Sequence, residues 1–247
     1  MIRVTKVLVL ASGRGTDFQA IVDHQTMGIF KGVVISGMIC NHADAPVIKR
    51  AQDSAIPSFV IKGVTGTQFP TSMAKEEART AFDNRCLELS KEMRTELVVL
   101  AGFDQIVSEN FVEACKFKIM NIHPAYDMDR FGGKNMVGNK VHEMVLKSDV
   151  GYSGCTIHYV TNDIDGGPVI LKKRTEISRS DTPESLERRI LKLEHLAYPE
   201  AIQLVADGRV RVDESGRRCF VDRYSDSWDI DWDLRQQSYI AREREKE

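Results

Sequence analysis

An alternation in the first half of the chain limits what it can fold into. Residues 6–11, 33–40, 58–61, 97–101 and 118–123 are short runs rich in Val, Ile and Leu, as buried strands are. Between them, residues 18–24, 45–55 and 72–92 carry helical spacing, the last with Ala74, Ala78, Phe82 and Leu89 on one side. Strand, helix and strand in turn build βαβ units, and such units assemble into a parallel sheet with helices on both faces. The fold expected is therefore α/β and Rossmann-like, with a mostly parallel central sheet.

After residue 150 the pattern changes. Residues 155–160 and 168–175 are strand-like, and Asn162-Asp-Ile-Asp-Gly-Gly167 separates them. A long helix follows, with Thr182 as N-cap, Pro183 at its first position and Gly208 closing it. Leu186, Ile190, Leu193, Ala197, Ala201 and Leu204 form one apolar stripe, which suits the core or the face of a homodimer. Tyr198-Pro199 is expected to kink this helix. Beyond it, residues 210–212 and 219–221 can pair around Glu214-Ser-Gly216 as a hairpin, and the rest is heavily charged. Trp228 and Trp232 alternate with Asp and Ile, which reads as an edge segment laid over the domain surface, or alternatively as a strip for docking a partner.

Composition narrows the functional classes. Lys and Arg number 34 against 36 for Asp and Glu, so no chain-wide basic field exists to hold nucleic acid or an anionic membrane. Five scattered cysteines without a CxxC pair form neither a disulfide framework nor a zinc ligand set, and they suit a reducing compartment. No apolar run approaches the ~18 residues of a membrane span. The apolar N-terminus runs into a glycine turn, as a first strand does and a signal peptide does not. A cytoplasmic protein is expected.

Four segments can carry chemistry. Ser12-Gly-Arg-Gly-Thr-Asp17 joins the first strand to the first helix, where glycines and free helix-start N–H groups suit a phosphate or a plain tight turn. Phe18 replaces the third glycine of a dinucleotide fingerprint, and Asn41 stands where an acid would hold a ribose, so a monophosphate fits better than a dinucleotide. In Asn121-Ile-His123-Pro124 the amide and imidazole project together from the end of a strand, the arrangement that steadies an oxyanion, although a strand-capping role for His123 stays open. Asp163-Ile-Asp165-Gly-Gly-Pro168 is a turn whose carboxylate, if near an imidazole, favours its charged form. Glu194-His195 lies in the long helix, at a position that suits either solvent or a ligand. The remaining histidines look ordinary: His158 alternates within a strand, and His24, His42 and His142 sit among polar neighbours.

In this order the segments resemble the phosphoribosylglycinamide formyltransferases, folate-dependent enzymes of purine biosynthesis. The resemblance rests on VLVLASGRGTDFQ at 7–19, Asn41-His-Ala-Asp44, LVVLAGFDQI at 97–106, NIHPA at 121–125, SGCTIHYV at 153–160, DGGPVI at 165–170 and EHLAYP at 194–199. It covers residues 1–210 and implies a formyltransferase domain there, with a charged extension over 211–247.

What the resemblance implies is transfer of the formyl group of 10-formyltetrahydrofolate, as cosubstrate, to the amine of glycinamide ribotide. It assigns Asn121, His123 and Asp165 to catalysis. Gly15, Thr16, Asp17 and Glu194 are assigned to the ribotide and its phosphate. Arg79, Asp104, Gln105, Ile106 and Val107, with Asn121, are assigned to the folate, and no residue is assigned to a metal. A formyltetrahydrofolate hydrolase and a sugar-nucleotide formyltransferase share this core and are the alternatives. The chain departs from the family at Asp17, where many members have Asn, and at Gln105, where bacterial members commonly have Arg. It departs again at Tyr126-Asp-Met-Asp129, which replaces an apolar segment. The following loop, 131–138, has three glycines and reads as a mobile lid.

Overall fold

The computed structural model describes residues 3–65, 68–222 and 228–245, the side chains of 228–230 excepted. Its centre is a seven-stranded sheet of β1 (Thr5–Ala11), β2 (Val33–Cys40), β3 (Ser58–Val60), β4 (Leu97–Leu100), β5 (Ile119–His123), β6 (Tyr152–Tyr159) and β7 (Val169–Glu176). Their order across the sheet is β3-β2-β1-β4-β5-β6-β7. The pairs from β3 to β5 are parallel, whereas β6 runs antiparallel to both β5 and β7. The expected fold class is the one observed, and the antiparallel edge is the part that alternation alone does not specify.

Both faces of the sheet are buried. Val7, Val9, Val99 and Met120 look toward α1 (Thr16–Thr26), α2 (Pro46–Asp53) and α7 (Pro183–Ala206). Leu8, Leu10, Val98 and Ile119 look toward α3 (Ser72–Glu92) and α4 (Glu109–Ala114). That two-sided burial is why β1 and β4 read as continuous apolar runs without polar alternation. In α3, Phe82, Cys86 and Leu89 are buried, while Ala74 and Ala78 are only half-buried, so the helix enters the core through its C-terminal half. Two short helices, α5 (Met128–Phe131) and α6 (Asn139–Leu146), follow β5.

α7 runs on through Pro199, and its Ala197, Tyr198 and Pro199 are all buried. The hairpin forms as β8 (Val210–Val212) with β9 (Cys219–Val221). The Trp-Asp alternation beyond it is not an edge segment: it opens a helix, α8 (Trp228–Glu245). Trp232 and Tyr239 of α8 belong to the same apolar cluster as Val7 and Phe30. The side chain of Trp228 lies outside the described residues.

His24, read as an ordinary polar-neighbour histidine, is fully buried where α1 meets α8. Its Nδ1 donates to Ala20 O at 2.7 Å, and its Nε2 faces Gln236 Nε2 at 3.2 Å. An amide nitrogen only donates, so the neutral imidazole with its proton on Nδ1 satisfies both contacts.

Candidate active site

In an open α/β sheet, ligands bind beyond the carboxyl ends of the strands where the strand order reverses. Here that point lies between β1 and β4, and the turns following β1, β2 and β4 meet there. Ser12 N–H donates to Gly102 O at 3.1 Å, and the Ser12 hydroxyl accepts from Asp104 N–H at 2.9 Å while donating to Asn41 Oδ1 at 2.6 Å. From below, the Tyr198 hydroxyl of α7 donates to Leu100 O at 2.9 Å, with Met120 O at 3.0 Å. One buried phenol thus braces the ends of β4 and β5 against the helix behind them.

His123 and Asn121 project from β5 as strand alternation requires. His123 is buried, and both of its ring nitrogens face acceptors: Nε2 is 2.8 Å from Phe131 O and Nδ1 is 3.3 Å from Asp165 Oδ2. A ring that donates to both carries a proton on each nitrogen. Asp165 itself has φ +54°, which aims its carboxylate back into the sheet edge, where Oδ2 also accepts from Gly133 N–H at 2.9 Å. The glycine loop that reads as a lid therefore lies on the His123–Asp165 pair. A Cβ on Gly132 would sit 3.0 Å from Asp165 Cβ, so the loop approaches this closely only with glycine there.

His158 completes the group, and the sequence reading missed it. It lies opposite Asn121 in the β5–β6 register, 3.4 Å from the Asn121 amide nitrogen and 3.6 Å from Asp165 Oδ1. Burial pushes its pKa down. The neutral ring donates from Nδ1 to Tyr159 O at 2.9 Å and accepts from Asn121 at Nε2. This bond orients the Asn121 amide and uses one of its two N–H groups, leaving the other for a ligand. The only signal for His158 in the sequence is the motif SGCTIHYV; local spacing says nothing about the antiparallel partner that brings it to Asn121.

The Gly15–Asp17 turn opens α1. Gly15 is the N-cap, at φ +70°, and a Cβ there would run into Val47 of α2. No side chain caps α1, so Asp17 is not a helix cap. It is instead buried, with His195 Nε2 3.8 Å from its Oδ1. Burial, partly opposed by Arg14, pushes the Asp17 carboxyl up to about 7. Glu194, buried beside it, is held well above the usual carboxylate range by burial and then by the charge of Asp17.

The segment expected to meet folate is built differently from its neighbours. The Asp104 carboxylate is engaged by Asn41 Nδ2 at 2.7 Å and His42 Nε2 at 2.8 Å. Gln105 is buried, its Oε1 accepting from Val64 N–H at 2.8 Å and its Nε2 left without a partner. Its side chain thus points toward the 63–64 turn, not outward as the contact to a glutamate tail would need. Val107 is buried and Ile106 exposed. Arg79 lies on α3 near Glu76 and Asp83, and Asp83 accepts from Ser108 N–H at 2.7 Å, which places Arg79 beneath the loop after β4. A cleft of about 600 Å³ lies alongside, lined by Ser12, Asn41, His42, Lys62 and Thr65. Among the described residues no group of three or more His, Cys, Asp or Glu side chains is arranged to hold a metal ion, and no helix is long and apolar enough to cross a membrane.

An amide and an imidazole–carboxylate pair thus meet on this sheet edge, and the chain belongs to the formyl transferase family, whose signature matches residues 5–202. Within that family it is similar to proteins named phosphoribosylglycinamide formyltransferase. It is 34% identical over 198 residues to the Bacillus subtilis enzyme of that name, covering 80% of this chain and 93% of that one. It is 37% identical over 217 residues to the trifunctional purine biosynthetic protein adenosine-3 of Bos taurus; the match takes in 87% of this chain but spans only 20% of that longer protein. The crystal structure of phosphoribosylglycinamide formyltransferase from Anaplasma phagocytophilum superposes with a TM-score of 0.75 at 32% identity, over 91% of this chain and 97% of that one.

Proposed function

We propose that this chain transfers the formyl group of 10-formyltetrahydrofolate to the amine of 5-phosphoribosylglycinamide in purine (IMP) biosynthesis. The products are formylglycinamide ribotide and tetrahydrofolate. The observation that carries the reading is the convergence of Asn121, His123 and Asp165 on one sheet edge, with the Gly15–Asp17 turn following β1 of the same sheet. The names of the relatives point the same way.

The amine nitrogen bonds to the formyl carbon, and the formyl oxygen takes up negative charge. The free N–H of Asn121 and a doubly protonated His123 are the donors for that oxygen, with Asp165 keeping the ring oriented. Collapse breaks the bond from carbon to folate N10, which takes a proton as the amine gives one up. For His123 Nε2 to reach the oxygen, the Phe131 carbonyl must first leave it, so loop 131–138 opens as substrates enter. Gly15, Thr16 and Asp17 take the phosphate end of the ribotide and Glu194 its glycinamide end. The backbone of Asp104–Val107 holds the pterin, and Arg79 lies under that segment. In this reading residues 1–210 carry the reaction in the cytoplasm, and the two substrates are small molecules.

The test is an absorbance assay for folate product, run with and without the ribotide. Turnover that requires the ribotide is expected. Turnover without it would select the formyltetrahydrofolate hydrolase instead, and turnover only with an amino sugar nucleotide would select the third enzyme of this core.

A further inference from the structure

Beneath the turn assigned to the phosphate sits a carboxyl group with no buried permanent cation beside it. Asp17 is only 9% exposed, and its Oδ1 accepts no hydrogen bond. The groups facing it are Glu194, His195 and Tyr198 of α7, Cys155 of β6, Tyr239 of α8 and Arg14 of the turn itself. Arg14 is the one permanent cation among them, and it is largely exposed and paired with Glu187 at 2.9 Å. The buried cluster thus holds two carboxyl groups against one imidazole. A pair of buried acids this close does not ionise fully, because each charge disfavours the other.

We propose that Asp17 sets the protonation state in which the ribotide binds: the phosphate docks on the α1 turn only when the Asp17 carboxyl carries a proton, so binding takes one up. This rests on the reading of the turn as the ribotide site. The amide of Asp17 is part of that turn, so an ionised carboxyl on the same residue would oppose the incoming dianion. An asparagine would not.

The free protein holds Asp17 at a pKa of about 7. Above that pH the proton must be drawn from solvent, and affinity falls by about tenfold per pH unit. A phosphate monoester titrates on its own near pH 6, so only the difference between wild type and variant reports on Asp17.

The experiment is titration calorimetry of glycinamide ribotide from about pH 6 to about pH 8.5, in two buffers of different ionisation enthalpy. Wild type is expected to take up close to one proton above pH 7 and to weaken with pH. Asp17→Asn loses that uptake and binds about tenfold more tightly than wild type at pH 8. Asp17→Ser, which also lacks the carboxyl, serves if the asparagine variant folds poorly. Equal uptake and equal pH slope in wild type and variants would overturn the inference while leaving the ribotide site in place. No ribotide binding to any of them would overturn the site and the inference together.

Discussion

At the scale of single residues, the site depends on contacts between different elements. His123 is flanked by an acceptor on each side, Asp165 from the β6–β7 connection and Phe131 at the C-terminal end of α5. Removing one oxyanion donor typically costs a factor of about 100 to 1000 in turnover. His123→Ala is therefore expected to lower turnover at least about 100-fold while the circular dichroism spectrum stays that of the folded chain; near-normal turnover would refute the catalytic assignment. Gly15 makes a separate point. Its left-handed φ and the proximity of Val47 exclude a side chain, so Gly15→Ala should cost about 1–3 kcal/mol in denaturant unfolding and raise the KM for the ribotide. Strand alternation puts Asn121 and His123 on one side of β5, but the turn offers both Asp163 and Asp165, and only the family resemblance chooses Asp165. His158 is not legible, because what gives it a role is its register against β5, and no local spacing encodes that pairing.

Among the elements, α8 shows best how one local pattern can hide another. Its Trp-Asp-Ile-Asp-Trp-Asp opening has the period of a strand, yet Trp232, Gln236 and Tyr239 fall at i, i+4 and i+7, and all three are buried. The helical period wins because its partners, His24 and Phe30, wait on α1 and the turn after it, far away in sequence. Arg235 Nη1 donates to Ile29 O at 2.6 Å and Lys31 pairs with Asp231 at 3.2 Å, which fixes the helix at the rim of the same contact. Trp232→Ala should cost about 3–5 kcal/mol, the usual range for emptying a buried aromatic site. Urea unfolding followed by circular dichroism measures it, and a loss under about 1 kcal/mol would show that α8 is only loosely attached. The strands of the first half needed no such partner information. Their two-sided burial makes each an apolar run, and the helices between them dictate parallel pairing.

Over the whole molecule, buried ionisable groups pull stability in opposite directions with pH. His24 is held down to about 4 by burial, so between pH 6.5 and 4 the unfolded chain binds a proton that the folded chain refuses. Stability from this residue is complete above the unfolded value and is lost as pH falls, a loss of about 3 kcal/mol for a shift of that size. His142 and His158, also lowered by burial, add to the same slope. Asp17 works the other way. Its folded pKa is raised, so the folded chain holds a proton that the unfolded chain has released, and stability is lost as pH rises from about 4 toward about 7. The two terms overlap across the mildly acidic range and offset each other in the pH profile there. Breaking either one should tilt it. With His24→Gln the acid side flattens or reverses, because the acids at Asp17 and Glu194 are left to dominate. With Asp17→Asn the loss on acidification steepens, because one of the two acids opposing the histidines is gone. Urea midpoints at about pH 4, 5 and 6.5 for the three proteins decide the matter. Parallel profiles would mean that neither residue titrates differently on folding, and the assigned tautomer of His24 would fall with them.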